Sequence, residues 1–70
     1  MNTARLLVEI ECEADGRWIA EVPALAGVLA YGASRQEALV RAESLALRVL
    51  ADRLEHGETV PALDILFDAA

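Results

Sequence analysis

Residues 15–27 read Asp15-Gly-Arg-Trp-Ile-Ala-Glu-Val-Pro-Ala-Leu-Ala-Gly27, and the fold turns on how this run is parsed. Asp15-Gly16 is a turn signal. Trp18, Ala20 and Val22 then alternate with Arg17, Ile19 and Glu21, the period of a half-buried strand. Pro23 ends or edges that strand, and the loop through Ala24-Leu25-Ala26 closes on Gly27. Leu25 is expected to tuck back onto the core. No residue in the run looks catalytic; its chemistry is that of a scaffold.

Working outward, Leu6 to Glu13 also alternates. Leu6, Val8, Ile10 and Cys12 share one face, and Leu7, Glu9, Glu11 and Glu13 share the other. A two-residue Asp-Gly hairpin would set Ile10 against Glu21 and put a carboxylate on the core face. A three-residue loop, Ala14-Asp15-Gly16 with Gly16 left-handed, instead pairs Cys12 with Trp18, Ile10 with Ala20 and Val8 with Val22. Opposed residues point the same way, so this register gathers the apolar side chains on one face. Its flaw is Glu9 opposite Glu21 on the outer face. A buried Trp18 ring would be worth about 3–5 kcal/mol on truncation to alanine.

Downstream, Val28-Leu29-Ala30-Tyr31 reads as a third strand, too short for its inward face to be chosen by pattern. Gly32 and Ala33 lead out of it. Ser34 and Glu37 then form a capping box, with the Ser34 hydroxyl accepting from Glu37 N–H and Glu37 reaching back to Ser34 N–H. One helix follows to about Glu55. Its apolar stripe comprises Leu39, Ala42, Ala46, Val49 and Leu50, widened by Leu45, Leu47 and Leu54. Small Ala42 and Ala46 would let it lie close to a sheet. Gly57 is placed to end the helix, with His56 capping it in solvent. Pro61 precedes a last short strand in which Leu63, Ile65 and Phe67 alternate with Asp64, Leu66 and Asp68.

The expected architecture is α/β (α+β) in the order β-β-β-α-β. It is a single domain over residues 1–70, in which a three-stranded antiparallel meander is joined by the last strand beside the first. The helix covers one sheet face. The other face carries Leu7, Ile19 and either Leu29 or Tyr31 among Glu9, Glu11 and Glu21. A face of that mixture is either merely solvated or an interface. Exposed aliphatics on a bare sheet are better buried by a partner, so Leu7, Glu9, Glu11, Ile19, Glu21 and Tyr31 are taken as the candidate partner surface.

Composition narrows the function classes. The 70 residues are 56% hydrophobic and 26% charged, a globular balance, and the formal net charge is −6 with arginine as the sole cationic residue type. An acidic surface argues against direct nucleic-acid binding, which needs clustered Lys/Arg. Cys12 is the one cysteine, so there is no internal disulfide and no cysteine-built metal site. Its strand position reads as a small buried hydrophobe. The first residues show no signal-peptide architecture, and no apolar run reaches membrane-spanning length. A cytoplasmic protein without cofactor, metal or small-molecule substrate is expected. Glu9, Glu11, Glu13 and Glu21 invite a magnesium-dependent nuclease reading. Their alternation is what a solvated strand face produces anyway, and no basic residues accompany them.

The residues resemble the HicB family, the antitoxin half of HicA–HicB toxin–antitoxin systems. The resemblance rests on Gly16, Trp18, Ala20, Pro23, Leu25 and Gly27, then on Gly32, Ser34, Glu37 and Ala38 at the start of the helix. Ala42, Gly57 and Pro61 follow. Val28 stands where the family often has Cys. The resemblance implies a partial ribonuclease H-like fold and a protein that docks on a HicA-type RNA-cleaving toxin and blocks its active site, with no chemistry of its own. The match is to a short form. A helix-turn-helix or ribbon-helix-helix DNA-binding domain after Pro61 is not expected, so repression of an operon would need another chain. The alternative is an orphan HicB-like homo-oligomer serving as an interaction module.

Overall fold

The computed structural model describes residues 6–60 and residue 67. Strands β1 (Glu9–Cys12), β2 (Trp18–Glu21) and β3 (Leu29–Gly32) form an antiparallel sheet in that order, and helix α1 (Arg35–Glu55) packs across one face. The chain is of the α+β class. Pro61 and the last strand expected over Leu63–Phe67 lie outside the described residues, apart from Phe67, which is exposed and belongs to no strand here.

The β1–β2 register is the one the three-residue loop requires: Ile10 faces Ala20, Cys12 faces Trp18, and Glu9 faces Glu21. The ladder closes with Glu13 N–H donating to Arg17 O at 2.7 Å, and the loop with Gly16 N–H donating to Glu13 O at 2.9 Å. Gly16 has φ +90°, a conformation that a Cβ disfavours and that lets the strands continue their twist.

Between β2 and β3 the chain makes a tight loop. Val22 N–H donates to Val28 O, Leu25 N–H to Val22 O, and Val28 N–H to Leu25 O. Pro23 lacks a donor where none is used. Leu25 turns inward as expected and is buried beside Val22 and Val28. The ambiguous face of β3 is settled by its pairing with β2: Ala20 faces Ala30 and Ile19 faces Tyr31. Val28, Ala30 and Gly32 look toward the helix, and Leu29 and Tyr31 look out.

The helix begins where it should. Ser34 is the N-cap, its Oγ accepting from Glu37 N–H at 3.1 Å. The reciprocal arm differs from expectation by one residue. Glu37 Oε1 accepts from Ala33 N–H at 2.6 Å rather than from Ser34, because Ala33 has just left β3 and has no ladder partner. At the far end Gly57 N–H donates to Leu54 O and Glu58 N–H to Arg53 O, the paired bonds of a Schellman cap. His56 is the C-cap, with Nδ1 2.7 Å from Asp52 O.

Two core clusters result. Val22, Leu25, Val28, Ala46, Leu50 and Val60 form the larger. Ala20, Ala38 and Ala42, each fully buried, form the tighter one, with Val8, Ile10, Trp18 and Ala30 half-buried around it. Gly32 is part of this close approach: a Cβ there would meet the backbone of Glu37 and Ala38.

Three side chains depart from the expected burial. Cys12 is exposed, because the helix packs chiefly on β3 and β2 and leaves the hairpin end of β1 uncovered. Leu47 and Leu54 are also exposed, at 57% and 48%. Leu47 lies five residues from Ala42, about 140° around the helix, so it cannot share the sheet-facing side.

Candidate functional site

The outer face of the sheet is built from cross-strand rows. Since Glu13 and Arg17 are ladder-bonded, alternation makes Glu11–Ile19 and Glu9–Glu21 hydrogen-bonded pairs as well. Val22–Val28 bonding makes Ile19–Tyr31 and Glu21–Leu29 the non-hydrogen-bonded, more closely spaced pairs. One row therefore runs Glu11–Ile19–Tyr31 and the next Glu9–Glu21–Leu29. The face is acidic along β1, mixed on β2 and apolar along β3.

These rows bring together five of the six residues expected to form the surface. Ile19 is half-buried at its centre, and Tyr31, Glu9, Glu11 and Glu21 are in place around it. Leu7 lies outside the strands, two residues before β1, and is exposed. Leu29 joins the surface from β3. The expected motif residues (Gly16, Trp18, Ala20, Pro23, Leu25, Gly27, Gly32, Ser34, Glu37 and Ala38) sit instead at turns, caps and the helix–sheet contact. They shape the face and do not line it.

Two arginines frame the apolar side, and sequence reading missed both. Arg17 holds Asp15 with Nε 2.8 Å from Oδ2 and reaches Glu13 at 3.7 Å. Its guanidinium also lies 4.5 Å from the centroid of the Tyr31 ring, fixing the ring on the face. Arg41 comes from the helix. Its Nη1 donates to Tyr31 O at 3.0 Å, and Nη2 pairs with Glu37 at 3.3 Å. In this register the Tyr31 carbonyl points away from β2, so Arg41 covers an acceptor on the outer edge of β3. An Arg one residue past a hairpin Gly was the legible signal for the first contact; nothing local signals the second.

The Asp15 carboxyl is held below its ordinary range, first by the hydrogen bond from Arg17 N–H and then by the Arg17 charge. This acid locks the turn. Among the described residues no three His, Cys, Asp or Glu side chains converge in a way that could hold a metal ion, and the carboxylates of the face are spread along and across the strands. No helix among these residues is long and apolar enough to cross a membrane.

Comparison with protein-family models, with curated proteins and with solved structures gave no match. The class is thus the one that the geometry of the described residues defines: a three-stranded antiparallel sheet backed by one helix, with a partly apolar, partly acidic face that these residues leave open.

Proposed function

We propose that the protein is a HicB-like antitoxin that uses the open sheet face to dock on a HicA-type RNA-cleaving toxin and occlude its active site, without catalysis of its own. The observation that carries this reading is the composition of that face. Ile19, Leu29 and Tyr31 supply an apolar patch, while Glu9, Glu11 and Glu21 adjoin it with negative charge. A partner that binds RNA presents cationic groups around its active site, and an acidic rim steers and orients such a surface while the apolar patch supplies contact area. The Gly16–Ala38 motif fits the same proposal, as its residues occupy the positions that hold the face in shape.

The test is coexpression with the product of the adjacent reading frame, followed by copurification and an RNA-cleavage assay. A small basic HicA-type ribonuclease that binds and is silenced supports the reading, and loss of silencing in Ile19→Asp, with the fold intact, assigns it to this face. No such neighbour, together with a stable homo-oligomer that is lost in Ile19→Asp, favours the orphan interaction module.

A further inference from the structure

We propose that the outward side of α1 is a homodimer interface, in which two copies of the helix lie side by side and parallel. The helix carries a second apolar stripe unrelated to the core. Val40, Leu47 and Leu54 recur at seven-residue spacing and are 48%, 57% and 48% exposed. Exposed Ser44 and Ala51 fall between them, giving the alternating four-three spacing of a coiled-coil seam: 40, 44, 47, 51, 54. The seam lies roughly opposite Ala38, Ala42, Ala46 and Leu50, which are buried against the sheet. Small residues at 44 and 51 allow close approach of two backbones.

The flanking charges select the occupant. Glu43 borders one side of the seam and Arg48 the other, five residues apart. That is the relationship through which parallel coiled coils bridge one helix to the next. In a parallel pair Val40, Leu47 and Leu54 each stack on their own copy, and Glu43 meets Arg48 of the second copy twice. An antiparallel pair centred on the seam would bring Arg48 near Arg48 of the other copy. Among the described residues Glu43 and Arg48 have no ion-pair partner, whereas Arg41 is committed to Glu37 and the Tyr31 carbonyl. The acidic neighbours Glu43, Asp52 and Glu55 disfavour an anionic lipid surface as the occupant. Because α1 and the open face lie on opposite sides of the sheet, this dimer leaves the proposed toxin-docking face free and does not depend on that proposal.

Sedimentation velocity from low-micromolar to near-millimolar protein tests it. The wild-type chain should dimerise, and Leu47→Glu should raise the dissociation constant at least about tenfold with helix content unchanged by circular dichroism. Glu43→Arg and Arg48→Glu should each weaken the dimer, and the double variant should restore it. In a Cys12→Ser background, Ser44→Cys should form a disulfide-linked dimer on mild oxidation. A monomer at every concentration overturns the proposal, as does a dimer that survives Leu47→Glu but is lost in Ile19→Asp. A double charge swap no tighter than the single variants, or no Ser44→Cys crosslink, overturns the parallel arrangement.

Discussion

A Cβ added to Gly32 would lie 2.5 Å from the backbone nitrogen of Ala38, closer than any real Cβ contact. Gly32 ends β3, and Ala38 is in the first turns of α1, so the absence of one side chain lets the helix seat on the sheet. The obstructing atoms are backbone of Ala38 and Glu37 and the Glu37 Cβ, which is fixed to that backbone, so none can swing aside. Gly32→Ala should therefore destabilise the domain by about 2–3 kcal/mol, as overpacking does where nothing can yield. Urea denaturation measures it; a loss within error of zero would mean that the helix has room to shift.

Adjacent residues on β2 should respond in opposite ways. Trp18 packs half-buried on the Ala20–Ala38–Ala42 cluster, and Ile19 points to the open face. Trp18→Ala is expected to cost about 2 kcal/mol, less than the 3–5 typical of a fully enclosed ring. Ile19→Asp sets a carboxylate opposite Glu11, so it should cost about 1 kcal/mol without unfolding the chain, and should abolish partner binding. Unfolding by Ile19→Asp would show that the face is part of the core.

Glu9 and Glu21 sit directly opposite in the sheet. Replacing one like charge by its opposite removes a repulsion and creates an attraction, so Glu9→Arg should stabilise the fold by roughly 0.5 kcal/mol at low salt, shrinking as salt rises. The same change should weaken binding of a basic partner. Denaturation and binding titrations read these effects separately, and stabilisation that is indifferent to salt would contradict the electrostatic origin.

Asp15 gives the hairpin an acid dependence of definite sign. Its carboxyl is depressed in the folded chain by Arg17, so the stabilising contribution is fully present above the unfolded-state value. It is lost as pH falls through the lower folded value. Acid titration of the wild type against Asp15→Asn should show the two stabilities converging below the ordinary carboxylate range. The group is solvent-exposed, so the gap at neutral pH should be small.

Much of this architecture is legible locally. The hairpin register follows from requiring Ile10 and Ala20 to share a face while keeping Glu21 off the core, and Gly16 supplies the one backbone conformation that this loop needs. Ser34 and Glu37 announce the start of the helix, and Gly57 its end. The candidate face is legible to the same extent, since alternation places Glu9, Glu11, Ile19 and Glu21 on one side without reference to anything distant. Leu29 and Tyr31 were open at that level because four apolar residues in a row carry no alternation.

Other features depend on contacts between distant segments. Which face of β3 is inward follows from its ladder with β2, and Arg41 reaches Tyr31 across ten residues of chain. Cys12 is alternating and apolar like its neighbours, yet it is exposed because the helix covers only part of the sheet. Leu47 and Leu54 belong by hydropathy to the helix's apolar set, but the helix axis and the position of the sheet put them outside. Sequence determines which residues of each strand share a face and how each turn closes, since these depend on the chemistry of neighbouring residues. Tertiary structure decides how far one element extends over another, and so which of the apolar groups remain available to a partner.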